Sequence, residues 1–292
     1  MRPSREEIEA AVEKAGSIRK SAGILGVDER TVRRWLGPAE DSTPEAVRSM
    51  RLLAIDIETR PLLSYHWGRW NQNIPAGHTL EDDGIICWAA KWINEGGETI
   101  FRSDWGDGHE NMVRGAWLLM SSADAIVHYN GAKFDAPWLQ REFALLDLAI
   151  PPYKEIDLLK TVKRRFRFSS NKLADIAPAF GLEDKEKHEG MGLWIGVLAG
   201  DHDAEARMES YNRQDTELVE QMYNRLQKYL VGHPSFSAFH GRDICPQCGS
   251  EDLKPAGLAY LKTGQYPRFE CKSCGSYSRL SRRSGATQVS AV

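Results

Sequence analysis

Three short stretches bring residue types capable of chemistry into register. Asp56 and Glu58 lie two apart at the end of an apolar run, Arg51–Ile57. On a strand, side chains two apart share a face, so both acids point one way and Ile55 and Ile57 the other. Paired carboxylates repel each other and resist burial unless a cation neutralises them. Taken alone, a strand end with solvated acids explains the pair as well. The second stretch, His128 to Asp135, leaves a short apolar strand, turns at Gly131 and reaches an acid two residues before Pro137. By itself, Asp135 fits a helix N-cap equally well. In the third, Tyr211 and Asp215 stand four apart in a helical stretch and meet on one face, as incidental polar pairs also do.

A fourth constellation uses sulfur. Cys245-Pro246-Gln247-Cys248 and Cys271-Lys272-Ser273-Cys274 are two C-x-x-C knuckles separated by 22 residues, and each is followed by a glycine. Four thiolates suit a tetrahedral Zn²⁺, and such a closed set leaves no open position for catalysis, so this zinc would be structural. A redox dithiol is the competing reading; the doubled knuckle argues against it. Cys87, inside an apolar run, reads as a core thiol.

These residues need elements to hold them. Beta-rich segments are expected at Arg51–Ile57, Ile85–Ile93, Glu98–Arg102 and Ala125–His128, with a hairpin at Gly96–Gly97. Helices are expected at Ala136–Leu148, Leu158–Arg165, Asn171–Phe180, Leu193–Ala199 and Ala204–Leu230. Strands first and helices later, on one core, predict an α/β fold with a mixed sheet flanked by helices. Glu6–Leu36 reads as three short helices, with Asp28 capping the last and Arg30, Arg33 and Arg34 exposed on it. Beyond Cys245, strand character at Leu258–Leu261 and Arg268–Glu270 fits a small zinc-held unit.

Charge divides the chain in the same places. The whole carries a net charge of −3, a value that by itself disfavours a nucleic-acid partner. Residues 1–50 are neutral, residues 51–240 net −7 and residues 241–292 net +4. The last stretch mixes cations such as Lys254, Arg268 and Arg279 with Tyr260, Phe269 and Tyr277, a combination suited to phosphate contact and base stacking. Lys160, Lys163, Arg164, Arg165 and Arg167 form the densest basic run; it lines a strand channel or is a solvated helix face. Most of the nine tryptophans, Trp88 and Trp138 among them, read as core. Trp67 and Trp70 instead lie in a loop after the first acidic pair, within reach of a terminal base. No apolar run approaches the roughly 18 residues of a membrane span, and the amino terminus has no apolar signal core. A cytoplasmic protein is expected, bacterial or in a host cytoplasm if viral.

In order and spacing, the three acidic stretches resemble the motifs of the DEDD superfamily of 3′–5′ exonucleases, in the branch with a tyrosine in the third motif. Asp56-Ile57-Glu58 matches the first motif, and Asn130 through Asp135 is similar to the second as it stands in family-B polymerase proofreading domains. Tyr211 through Asp215 matches the third. The resemblance implies an RNase H-like core in which Asp56, Glu58, Asp135 and Asp215 hold two Mg²⁺ or Mn²⁺ ions. In such sites the ions lie about 4 Å apart, clamp the scissile phosphate and activate a water that Tyr211 orients. Asn130, Phe134, Lys163, Arg164 and Arg165 would then touch nucleic acid.

Ala22, Gly26, Val32 and Trp35 resemble a helix-turn-helix pattern, and the cysteine knuckles look like a zinc ribbon. The expected organisation is a helix-turn-helix-like head at 1–40, a linker at 41–50 and the exonuclease core at 51–232. A linker at 233–243, the ribbon at 244–281 and a flexible tail at 282–292 complete it. The expected activity is hydrolysis of DNA from a 3′ end, with a polymerase or other replication or repair protein as a separate partner. The rivals are an RNA exonuclease and a DNA-binding regulator with a vestigial nuclease core.

Overall fold

Apolar runs flanked by turn residues become the inner strands of a five-stranded sheet. The computed structural model describes residues 5–15, 17–28, 30–32, 49–71, 73–182, 190–282 and 284. These fall into two units, Met1–Ser49 and Met50–Val292.

In the first unit, α1 (Arg5–Ala15) and α2 (Ile18–Leu25) bury Ile8 and Ala22 with Val32. Gly26 ends α2 in the left-handed conformation, at φ 63°, where a Cβ would be strained. Asp28 then accepts from the Thr31 amide at 2.9 Å and from its hydroxyl at 2.8 Å, the cap expected from sequence. Helical backbone resumes at 30–32, with Arg30 exposed. Arg33, Arg34, Trp35 and the expected 41–48 part of the linker lie outside the described residues.

The second unit contains β1 (Leu52–Arg60), β2 (Leu63–Ser64), β3 (Thr79–Glu81), β4 (Gly84–Trp92), β5 (Ile100–Ser103), β6 (Ala125–His128) and β7 (Lys154–Asp157). Its first helices are α3 (Asp104–Asp107), α4 (His109–Ser121), α5 (Asp135–Leu145) and α6 (Leu158–Arg165). They are followed by α7 (Leu173–Ala179), α8 (Met191–Leu198), α9 (His202–Leu226) and α10 (Phe236–His240), then β8 (Leu253–Leu261), β9 (Gly264–Cys271) and β10 (Tyr277–Arg279).

The main sheet runs β5-β4-β1-β6-β7. Its β5, β4 and β1 pair antiparallel, whereas β1, β6 and β7 pair parallel, so the expected mixed sheet is present. Strand alternation sorts the core into two layers. Leu53, Ile55, Ile57, Trp88 and Ile126 face α4 and α5, where they meet Met112, Val113, Ala116, Leu139 and Phe143. Leu52, Ala54, Ala125 and Val127 face α6 and α9, meeting Val162, Leu218, Met222 and Tyr223.

The structure departs from the sequence expectation in several places. Helix α4 has a glycine at its N-cap and Gly115 inside it, which weakens its signature. That glycine permits a close approach, since a Cβ there would lie 3.1 Å from the Trp88 ring. Edge strand β7 has a mostly polar sequence with Ile156 as its main apolar residue, so periodicity did not mark it. The β2–β3 ribbon was likewise not expected. Finally, the 233–243 stretch carries α10, whose Phe236 packs on the core. His233 stacks on Phe236 and shares a 2.8 Å hydrogen bond with the Tyr223 hydroxyl, which fixes a stretch that composition marked as a bare connection.

Phe143, fully buried between α5 and the sheet, reports on this packing. Phe143→Ala is expected to cost about 3–5 kcal/mol, read as a lowered urea midpoint with an unchanged slope.

Candidate active site and cysteine cluster

Ala54, Asp56 and Glu58 lie on the α9 side of β1. The apolar residue of this face is covered by α9, and at the two acids the covering helix presents Tyr211, Asn212 and Asp215. Carboxylate oxygens of Asp56, Glu58 and Asp215 all lie within 4.8 Å of one another. Asp215 is 4% exposed and Tyr211 6%, so solvent cannot screen the cluster fully. Three like charges this close favour binding of cations or protons. Hard oxygen donors of this kind suit Mg²⁺ or Mn²⁺. A register shift between Glu58 and Thr59 in the β1–β4 ladder marks where the strand leaves its regular course.

Tyr211 hydrogen-bonds Asp215. Burial first, then the charges of Asp215, Glu58 and Asp56, push its hydroxyl pKa above the ordinary value, so it keeps its proton. Asn212 is a participant that the motif spacing did not reveal. It is fully buried, and its amide donates 2.8 Å to Asp56 Oδ2 and 3.3 Å to the Asp56 carbonyl. The available signal was an amide on the buried face of α9, one turn beyond Met208 and three residues before Asp215.

Asp135 is not among the three converging acids. Strand β6 pairs with β1 only over Leu52–Ala54, leaving the β1 edge open beyond that point. Asp135 Oδ1 fills the gap by accepting from the Ile57 amide at 3.2 Å, between the two acids of the first motif. Asp135 is also not an N-cap: it is the first helical residue, and Phe134 holds the cap position. The approach is built by its neighbours. Asn130 takes a left-handed φ of 71°, and its amide donates to Asp157 Oδ1 at 3.1 Å. Gly131 passes so close that a Cβ would lie 2.5 Å from the His128 ring and 2.8 Å from Asp135 Oδ2. The sequence thus located the turn at Gly131, but the left-handed residue is Asn130. Asp157, also missed, caps α6 and ties down that turn.

Beside Glu58 opens a cleft of about 440 Å³ lined by Thr59, Pro61, Phe134, Met191 and Trp194. The Trp194 indole donates to the Thr59 carbonyl at 3.0 Å, which fastens α8 to the end of β1. Phe134 is therefore at the site, and Asn130 shapes its approach. The basic residues of α6 are not part of this lining. Lys163 and Arg164 are exposed, and Arg165 Nε donates to the Tyr229 carbonyl at 3.0 Å.

The four cysteines form a second cluster, also within 4.8 Å. Cys245 and Cys274 sulfurs are 3.7 Å apart, and those of Cys248 and Cys271 3.6 Å. Tetrahedral Zn–S bonds of about 2.3 Å require sulfurs about 3.8 Å apart, so the set fits Zn²⁺. The two knuckles repeat one geometry. Gly249 and Gly275 take φ of 75° and 73°, and each amide donates 2.9 Å to the carbonyl of the knuckle's first cysteine. Cys87 is fully buried on β4 opposite Glu58, a core thiol as expected.

Burial raises the Asp135 pKa from 3.8 to about 6, with the Asp157 charge adding to the effect. Between those values the folded chain binds more protons than the unfolded one, so stability falls as pH rises. The full effect is roughly 3 kcal/mol. Asp135→Asn is expected to remove that slope and to stabilise the protein at neutral pH without Mg²⁺ or Mn²⁺. Urea denaturation across pH 4 to 7 checks it.

Among solved structures, the chain is similar to the family B DNA polymerase from the hyperthermophilic archaeon Pyrobaculum calidifontis, at 18% identity and a TM-score of 0.46. The match covers 61% of this chain and 25% of that one, so it spans about a quarter of the polymerase's length. No curated protein sequence matches. The RNase_H_2 family model, described as RNase_H superfamily, matches residues 79–227. That stretch begins beyond Asp56 and Glu58 but holds Asp135, Tyr211 and Asp215. With more than half of its length matched, from β3 to the end of α9, the chain belongs to the RNase H superfamily.

Proposed function

We propose that the chain is a metal-dependent 3′–5′ exonuclease acting on DNA, in the tyrosine-bearing branch of the DEDD nucleases. One observation carries the reading: Asp56, Glu58 and Asp215 converge within 4.8 Å on the sheet of an RNase H superfamily member, with Tyr211 bonded beside them. Asp135, at the amide between the first two acids, is the fourth member of the set.

Asp56, Glu58, Asp135 and Asp215 would hold the divalent cations. Bound there, such cations neutralise a scissile phosphate and make a water more acidic and more nucleophilic. Asn212 fixes one oxygen of Asp56 and so limits the directions in which that carboxylate presents its other oxygen. Tyr211 lies beside the proposed ligands Asp56, Glu58 and Asp215, where its hydroxyl would orient the attacking water. Phe134, Met191 and Trp194 offer apolar surface beside Glu58 for the terminal nucleoside.

The flanking parts fit delivery to DNA. The capped turn at Gly26 and Asp28 is consistent with a helix-turn-helix head at 1–40. The cysteine cluster with β8, β9 and β10 reads as a structural zinc ribbon at 244–281. Arg268 lies over the Tyr277 ring and Arg279 over the Tyr266 ring, pairing cations with aromatic faces.

Asp56→Ala and Asp215→Ala are each expected to abolish Mg²⁺- or Mn²⁺-dependent shortening of 3′-ended DNA without loss of the folded far-UV spectrum. Tyr211→Phe removes an orienting group and is expected to slow turnover roughly a hundredfold. Wild-type rates in both alanine variants would refute the assignment. Removing zinc with a thiol-reactive mercurial is expected to abolish amide-exchange protection across β8 and β9 while the main sheet stays protected. Equal protection in both states would exclude a structural metal.

A further inference from the structure

The chain leaves the catalytic strand through a segment with many exposed side chains. Two residues after Thr59, Pro61 still lines the cleft beside Glu58. Strands β2 and β3 then pair, Leu63 with Glu81 and Ser64 with Thr79, and the Tyr65 amide donates to the His78 carbonyl at 3.0 Å. This stem closes a loop that begins immediately outside the cleft.

The loop displays large rings. Trp67 is 97% exposed, Trp70 83% and Tyr65 71%. Tryptophan is usually highly buried, and an aromatic side chain left in water forgoes the stabilisation that burial brings. Trp88, by contrast, is 1% exposed. Charge separates this segment from its surroundings too. From Arg60 to Leu80 there is no Asp or Glu, although residues 51–240 net −7. Arg69 is exposed between the two tryptophans, and His66 and His78 are exposed on either side.

We propose that the Pro61–His78 loop is a stacking clamp for single-stranded nucleic acid, holding the nucleotides upstream of the one being removed. The proposal rests on the nuclease reading of the adjacent cleft and deepens it. A polyanion approaching a crowd of carboxylates is repelled, and grip must come from surface elsewhere. A carboxylate-free loop with Arg69 between two tryptophans supplies it: bases stack on the rings while the guanidinium meets phosphate. The ligand is single-stranded because bases paired in a duplex do not offer their faces. Continuity with the cleft through Thr59 and Pro61 gives the strand a path from the rings to Glu58.

The test uses the full chain with Ca²⁺ in place of Mg²⁺ and compares a phosphorothioate-capped thymidine trimer with an oligomer about 20 nucleotides long. Fluorescence anisotropy is expected to show the wild type binding the long strand at least about tenfold more tightly than the trimer. A Trp67→Ala/Trp70→Ala double variant should bind the long strand about ten- to a hundredfold more weakly, and Trp67→Phe/Trp70→Phe should restore most of that affinity. An unchanged Kd for the long strand in the folded alanine variant would overturn the clamp. So would loss of self-association in sedimentation with no loss of strand affinity, which would assign the rings to a second copy of this chain. The two readings fail separately. A wild type that binds through the loop yet hydrolyses no strand keeps the clamp and sinks the nuclease; one that hydrolyses DNA with no length-dependent affinity does the reverse.

Discussion

Like-charge crowding is the constraint on which the rest of this structure depends. Asp56, Glu58 and Asp215 lie within 4.8 Å, and water does not reach all of them freely. Such a cluster is unfavourable in a metal-free chain and must be held by the packing around it. Two apolar layers do this. Ile55 and Ile57 lock one face of β1 against α4 and α5, while Leu218, Val219 and Met222 lock α9 over the other. Asn212 and the Ile57 amide then each take one carboxylate oxygen. The arrangement stores repulsion that a bound cation relieves, so ligand binding and local stability are linked.

The cysteine cluster solves a related problem with different chemistry. Its four cysteines come from two similar turns brought together by β8 and β9, and each turn fixes its own geometry through Gly249 or Gly275. Soft thiolates in a closed set suit a metal that stays. The converging carboxylates Asp56, Glu58 and Asp215 come from one strand and one distant helix, and such hard donors suit metals that exchange. One cluster is built locally and the other by the whole fold.

That difference explains what the sequence made legible. Cys245, Cys248, Cys271 and Cys274 could be assigned from spacing because the knuckle is a local unit. Asp56 with Glu58, and Tyr211 with Asp215, were readable because strand and helix periods place them on common faces. Asp135 was harder: its position depends on β6 ending early and on Asn130 and Gly131 threading between His128 and Asp157. Asn212 and Asp157 act only through contacts distant in sequence, and neither has a local signature. In the fold, strands with apolar faces were found, and Ala125–His128 and Leu158–Arg165 were bounded correctly. Helix α4 was missed because Gly108 and Gly115 blunt its pattern, and β7 because its polar edge hides a single core residue. The basic run on α6 read equally well as a strand channel or as a solvated face. The structure directs Arg165 to the Tyr229 carbonyl and keeps Lys163 and Arg164 outside the cleft lining.

Net charge, averaged over the chain, argues against a polyanionic ligand, and its distribution reverses the argument. A site that collects cations through carboxylates cannot also carry its own Lys and Arg in contact with those acids, because ion pairs would satisfy the ligands. Phosphate-gripping charge therefore has to stand outside the cluster, on segments whose acids have been removed. Arg60 to Leu80 has none, and residues 241–292 net +4 against −7 in the core. Separation of this kind is unnecessary for a protein whose acids merely keep it dissolved. It fits the metal-dependent nucleic-acid site proposed above.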